Sequence, residues 1–128
     1  MGTFHQRIEL AAGPSGPFEA LDALVDSGAT YTLVPRAVLT RLGVAPVDQQ
    51  TFVIADGSQV LQDIGEATVR IDGRTRTTVV VFGDDAAEPP LGAVTVESFG
   101  LGIDPLGRQL IPMPGYLVGL RAGAPRDS

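Results

Sequence analysis

The alternation of apolar and polar positions along the chain predicts short β-strands separated by tight turns. Residues 4–10 alternate weakly and end before a Gly- and Pro-rich cluster at 13–17, which predicts a first strand followed by a turn. Apolar residues of the segment 18–25 fall on both faces, as is typical of a strand that is covered on both sides. Asp26 follows directly. Polar chemistry is therefore expected at the end of a buried strand.

A short helix is predicted over residues 35–42. Proline is well suited to the start of a helix, where its missing N–H costs nothing, and Pro35 stands at that position. Val38, Leu39 and Leu42 form one apolar stripe, and Gly43 provides a stop signal. We expect this helix to pack on the sheet.

Two Asp-Gly pairs, at 56–57 and at 72–73, predict β-hairpin turns because both residue types tolerate the positive φ that two-residue hairpin loops require. The flanking segments are predicted strands, and together they form a meander of two consecutive hairpins: 51–55, 58–64, 66–71 and 74–82. The last of them ends in the continuous apolar run 79–82, which predicts a central strand.

In the final third of the chain, the sequence pattern predicts secondary structure less clearly. Between 93 and 99, the β-branched residues 94–96 favour a strand, whereas Ala93, Val96 and Phe99 with Gly100 behind them favour a one-sided helix with a C-cap. Both interpretations stay open on local grounds. A turn is predicted at 104–107, and a last strand is expected at 116–120.

Composition and charge narrow the class of protein. The chain has 128 residues, 44% of them hydrophobic and 19% charged, which predicts one domain over 1–128 with a real core. Nine arginines face fifteen acidic residues for a net charge of −6, so the clustered positive charge of a nucleic-acid-binding protein is lacking. No segment has the pattern of a leader or of a membrane span, and we expect a cytoplasmic protein without membrane partners.

The side chains available for catalysis are few. The sequence contains no cysteine and a single histidine, His5, near the N-terminus, which argues against thiol chemistry, a Ser-His-Asp triad and a His-rich metal site. The acidic residues Asp84, Asp85 and Glu88 indicate a solvated loop, with weak binding of a hard cation as the alternative. We expect neither a metal nor an organic cofactor.

One carboxylate stands out because apolar sequence flanks it on both sides: Asp26 in Asp26-Ser27-Gly28. Burial of an unpaired carboxylate is unfavourable for the folding free energy, so we expect Asp26 to have a specific role at this position. Taken alone, the triplet is also explained as an Asx-type turn with a glycine chosen for positive φ. Two further elements follow in the chain, the hairpin tip at 56–57 and Pro90-Leu91-Gly92. In this order, over about residues 18–112, the chain resembles the retropepsin-like, single-lobe aspartic proteases of the small bacterial and archaeal type.

The resemblance implies a mainly β fold, a closed β-barrel half-lobe with one or two short helices, and favours the helix at 93–99. It implies an aspartic endopeptidase that acts on peptides or proteins as a two-fold homodimer, with Asp26 of each copy forming the catalytic pair. Ser27 and Gly28 would support that pair. Substrate-binding residues would come from the loop after the second strand, from the hairpin tip acting as a flap, and from the Leu-Gly element: Gly28, Ala29, Thr30, Ala55, Asp56, Gly57, Pro90 and Leu91.

The sequence departs from the viral enzymes at two positions that commonly form an ion pair there, because this chain has Thr30 and Ala93. Other contacts must then replace that pair. Two further hypotheses stay open: a catalytically silent peptide-binding or dimerisation module of the same fold, and a two-carboxylate hydrolase such as a glycosidase that pairs Asp26 with Asp56 or Asp104 within one chain.

Overall fold

The computed structural model describes residues 3–85 and 88–123 and is dominated by β-structure. Its elements, in chain order, are β1 Phe4–Ala11, β2 Glu19–Val25, β3 Thr32–Pro35, α1 Arg36–Leu42, β4 Asp48–Val53, β5 Gln59–Ile71, β6 Arg74–Gly83, β7 Pro90–Leu91, α2 Ala93–Ser98, β8 Leu101–Asp104 and β9 Gln109–Pro112. No helix among these residues has the length and apolarity needed to span a bilayer.

Seven of the strands form one sheet, in the order β3-β6-β5-β1-β2-β7, with β4 paired to β5 beside this path. The β2–β7 and β3–β6 pairs are parallel, and the other pairs are antiparallel. The strands β8 and β9 form a separate antiparallel hairpin. β2 and β7 thus run side by side, which brings the end of β2 next to the start of α2.

The core lies between the sheet and the two helices. Leu39 of α1, Phe82 of β6 and Phe99 at the end of α2 are almost completely buried, together with Val69 and Leu91 from the sheet. The predicted stripe of α1 is confirmed for Val38 and Leu39, and Leu42 packs against the core from its edge. Burial of these side chains is the main favourable term in the folding free energy.

Several predicted turns and elements are confirmed. Gly43 ends α1 in the left-handed conformation, with a φ of 88°. Asp72 and Gly73 both have positive φ, at 49° and 82°, as a two-residue hairpin loop requires. The meander is formed by one continuous strand, β5, rather than by separate strands at 58–64 and 66–71, so both hairpins share it.

The segment 93–99 forms the helix α2, the interpretation favoured by the family resemblance. Other expectations are wrong. Residues 116–120 form no strand, and Tyr116 and Val118 are fully exposed. The second strand is covered less completely than its sequence predicts, because Ala23 and Val25 are buried whereas Ala20 and Asp22 are exposed.

The expected closed barrel is also not found within the described residues. The path of paired strands ends at β3 on one side and at β7 on the other. These two short strands contact each other, but they form no ladder. Instead of a backbone ladder, one hydrogen bond to a side chain connects the two segments: the Gly92 N–H donates to Thr32 Oγ1 over 2.9 Å. The sheet is therefore open.

Truncation of a core side chain should show how far α1 contributes to the fold. Leu39→Ala removes a fully buried side chain and leaves a cavity, so we expect the free energy of unfolding to fall by about 2–5 kcal/mol. Leu106 is 94% exposed, and Leu106→Ala is the matched control with little expected effect. Urea unfolding at one protein concentration measures both; equal effects would contradict the packing of α1 described above.

Candidate active site

The loop after β2 holds Asp26 in a half-buried position by hydrogen bonds of its own backbone. The Gly28 N–H donates to Asp26 Oδ1 over 3.0 Å, and the Ala29 N–H donates to the Asp26 carbonyl over 3.0 Å. This is the Asx-type turn considered for the sequence, but Gly28 lies outside the positive-φ region, so backbone strain does not explain the glycine. A Cβ at Gly28 would lie 3.5 Å from Asp26 Oδ1. This is an ordinary van der Waals distance, so close packing does not require the glycine either.

The first turn of α2 is hydrogen-bonded to this loop. The N–H groups of Ala93 and Val94 donate to the carbonyls of Ala29 and Thr30 over 2.9 and 3.0 Å. The first N–H groups of a helix have no partner inside the helix, and here the loop supplies one for each. These two backbone hydrogen bonds join the same two segments that an ion pair commonly joins in the viral enzymes.

Gly92 lets the loop and the helix approach this closely. A Cβ at this position would lie 2.5 Å from the Thr30 carbonyl oxygen and would also overlap the backbone of Tyr31. Any other residue would therefore displace the loop that holds Asp26. The glycine of the Leu-Gly element is required by close packing.

Three buried threonines form a second connection behind the loop. Thr32 and Thr95 hydroxyls are 2.7 Å apart, and Thr95 and Thr78 hydroxyls are 3.1 Å apart. Since Thr32 also accepts from the Gly92 N–H, the network links β3, β6 and α2. These residues could not be predicted from the sequence, because threonine is common in strands and nothing in its spacing marks a buried hydroxyl.

A cleft of about 630 Å³ opens beside the loop. Among the predicted site residues, Gly28, Thr30 and Pro90 line it. The rest of the wall comes from residues outside the predicted site, four of them on β4 and two on β5: Tyr31, Leu33, Gln50, Thr51, Phe52, Val53, Ile54, Val60, Gln62, Val81 and Asp84. Tyr31 and Phe52 meet edge to face with their ring centres 5.4 Å apart, which ties β4 to the loop.

The other predicted residues lie elsewhere. Ala55, Asp56 and Gly57 form the exposed turn between β4 and β5 and do not line the cleft. Leu91 is completely buried, where it pairs with Val25 of β2. The structure therefore brings the strand before the hairpin tip to the cleft, and the tip itself projects into solvent.

The turn at the hairpin tip is stabilised by Asp56. Its Oδ1 accepts from the Ser58 N–H over 2.8 Å and from the Ser58 hydroxyl over 2.6 Å. Because both hydrogen bonds favour the ionised carboxylate, first the hydroxyl bond, they hold the pKa of Asp56 below its ordinary value. Gly57 completes the turn with a φ of 85°.

A metal site is not evident among residues 3–85 and 88–123, because no three acidic or histidine side chains come together there.

Comparison with known proteins identifies relatives of the chain. Residues 15–102 match the family model described as aspartyl protease. The solution structure of the Simian Foamy Virus (mac) protease is similar, with a TM-score of 0.55, 24% identity, and coverage of 74% of this chain and 93% of that protein. The EIAV protease has a TM-score of 0.55 and 19% identity, covering 75% and 86%. These two similarities concern the fold.

A retropepsin-like aspartic protease from Rickettsia conorii also aligns, with a TM-score of 0.48 and 18% identity over 81% of this chain and 89% of that protein. No curated protein sequence matches the chain at a significant level.

Removal of the central hydroxyl should weaken the threonine network. Thr95→Val keeps the shape of the side chain but leaves the buried Thr78 hydroxyl without this partner, so we expect unfolding to become easier by about 1–3 kcal/mol. Thr77→Val on exposed β6 surface is the control, with a much smaller expected change. Thermal and urea unfolding measure both variants, and equal stability of Thr95→Val and the parent would contradict the role of the network.

The pKa of Asp56 should respond to Ser58. A carboxylate whose folded pKa is lowered adds stability above its unfolded pKa and loses it as the pH falls through the folded pKa. Ser58→Ala removes the hydroxyl bond, so the pKa of Asp56 should rise toward its ordinary value and the turn should lose this support at a higher pH. An NMR titration of the carboxyl carbons measures it. The pKa of Asp63, which Arg36 holds low, should stay unchanged as an internal control.

Proposed function

This chain belongs to the aspartyl protease family, in its retropepsin-like single-lobe form, and from that premise we propose that it is an aspartic endopeptidase with Asp26 as its catalytic residue. The observation that carries the proposal is the half-buried Asp26 in a loop fastened to α2 beside an open cleft. Asp26 lies within the matched residues 15–102. The cleft supplies room for the peptide that such an enzyme would cleave.

The reaction requires two carboxyl groups in complementary protonation states. Peptide hydrolysis without a nucleophilic side chain needs a base that takes a proton from water and an acid that protonates the carbonyl oxygen. Two carboxyl groups held close together cannot both ionise cheaply, so they share one proton and provide both functions, as is established for aspartic proteases. Asp26 is the single Asp-Ser-Gly aspartate of this chain. We therefore place the second carboxyl group in a second copy, as Asp26 of the partner subunit.

In this scheme the ionised carboxylate takes a proton from water as the water oxygen attacks the carbonyl carbon of the scissile bond. The protonated carboxyl group gives its proton to the carbonyl oxygen, and a tetrahedral gem-diol forms. When the C–N bond breaks, the nitrogen receives the proton held by the first carboxyl group, and the diol returns its proton to the second. Both products leave, and the pair again holds one proton.

The surface around Asp26 suits a symmetric dimer. Ser27 and Gly28 are exposed at the tip of the loop, where a second loop would face them across a two-fold axis. Large apolar side chains also stay exposed on the segment after β9, among them Tyr116, Leu117 and Val118. Contiguous exposed apolar surface is typical of protein interfaces, and it offers a second copy an area to bury.

The substrate would lie in the cleft as an extended peptide. β4 pairs with β5 on one side, and its residues Phe52 and Val53 contribute to the wall together with Ile54, which follows the strand. A strand paired on one side has backbone groups free to bind an extended chain by strand addition, and the apolar wall accepts alternate side chains. Closure of the hairpin tip at 56–57 over the peptide would exclude water from the reacting bond.

Substitution of the proposed catalytic residue tests this function. Asp26→Asn removes the ionisable carboxyl group, which can no longer take up or give a proton, so cleavage of fluorogenic peptides between acidic and neutral pH should fall by on the order of 10³-fold or more, with the dimer intact. Asp22→Asn makes the same chemical change at an exposed position of β2, the strand before the loop, and should keep full activity. Cleavage that survives in Asp26→Asn would contradict the catalytic assignment.

Dilution tests the shared site separately. Specific activity should fall with protein concentration in step with the dimer fraction from sedimentation, because each monomer has half of the catalytic pair. An active monomer would favour a pair of carboxylates within one chain. A dimer that binds peptides but cleaves none would favour a peptide-binding module of the same fold.

A further inference from the structure

The acidic residues that follow β6 have three different environments. Asp85 Oδ1 accepts a hydrogen bond from the Ala37 N–H in the first turn of α1, over 2.8 Å. Glu88 contacts the His5 ring nitrogen, and this contact raises the pKa of His5. Asp84 instead lines the cleft. Two of the three carboxylates therefore have a structural role, and the third borders the space where a substrate would lie.

The cleft places this carboxylate at the edge of an apolar wall. Leu33, Val60 and Val81 form part of the wall, and Asp84 is the one acidic or basic residue among the described residues that line it. Arg36 is the cation that follows β3, but its guanidinium is bound to Asp63 over 2.7 Å and stacks on the Phe82 ring. Arg36 does not line the cleft, so it leaves the charge of Asp84 available to a ligand.

A negative charge beside aliphatic side chains matches one class of amino acid side chain. Lysine and arginine combine an aliphatic stem with a cationic end, so the stem can pack on apolar surface while the charge reaches a carboxylate. A purely aliphatic side chain would leave Asp84 partly desolvated without a partner, and an acidic one would be repelled.

We propose that Asp84 is a specificity-determining residue and that the cleft selects peptides carrying a lysine or arginine side chain close to the scissile bond. This inference rests on the proposed function and adds its substrate class. In a two-fold dimer, each copy contributes one such cleft, so the preference applies on both sides of the bond that is cleaved.

Paired peptides test the selection. In a set of internally quenched peptides, each position within three residues of the scissile bond carries either lysine or its uncharged analogue norleucine. We expect kcat/KM for the parent protein to favour lysine by about five-fold at one position or more, the size that a partly exposed ion pair supports. Asp84→Asn should bring that ratio close to one, and Asp84→Lys should invert it.

Asp85→Asn is the matched control. It makes the same change in net charge one residue away, at a side chain that binds α1 rather than lining the cleft. The lysine preference should persist in this variant, which separates the effect of Asp84 from general attraction by the net charge of −6. Unfolding midpoints of all variants check that the fold is kept.

A binding measurement keeps this inference distinct from the proposed catalysis. Calorimetric titration of the Asp26→Asn protein with the same peptides should show tighter binding of the lysine peptide, lost on addition of Asp84→Asn. If the lysine peptide binds more tightly but the parent protein cleaves no peptide, the proposed function is overturned and the selection by Asp84 is supported. Equal ratios in the parent protein and Asp84→Asn, or binding of neither peptide, would overturn the selection.

Discussion

The position of Asp26 depends on the hydrogen bonds between the loop after β2 and the first turn of α2. The carbonyls of Ala29 and Thr30 accept from Ala93 and Val94, and each bond satisfies a backbone group that would otherwise lack a partner. More than sixty residues separate the two segments in the chain. Their approach is possible because Gly92 has no side chain.

Both ends of α2 are held, so this short helix can position the loop. At its far end, Arg74 donates to the Phe99 carbonyl over 2.8 Å and Arg76 donates to the Ser98 carbonyl over 3.0 Å. Cations are favourable at the C-terminus of a helix, where carbonyl groups lack partners. An isolated helix of six residues would not be stable, and α2 is stabilised by these contacts and by burial of its apolar face.

The same arrangement determines the shape of the cleft. The loop forms one wall, β4 forms another, and Asp84, which follows β6, borders the cleft as well. Tyr31 and Phe52 connect the first two walls by their ring contact.

Local signals in the sequence predicted the parts of the fold that local chemistry controls. Pro35 and Gly43 bound α1, and the Asp-Gly pair at 72–73 forms the predicted two-residue turn, because φ preferences act between neighbouring residues. At 56–57 only Gly57 has positive φ, and the loop between β4 and β5 is longer than two residues. The same rules left 93–99 undecided, since three β-branched residues compete there with a helical stripe. The hydrogen bonds from this segment to the loop at 29–30 favour the helix. These contacts join segments that are distant in the chain, so a local sequence pattern cannot predict them.

By itself, the sequence determined that a single Asp-Ser-Gly aspartate follows an apolar strand in a small acidic protein, and it identified the family. Only the tertiary structure decided that the sheet stays open, that Thr32, Thr78 and Thr95 share a buried network, and that Asp84 rather than Asp85 borders the cleft. The physical reason is the same in each case. Hydrogen bonding and charge depend on which distant segments meet, and packing of the whole chain decides which do.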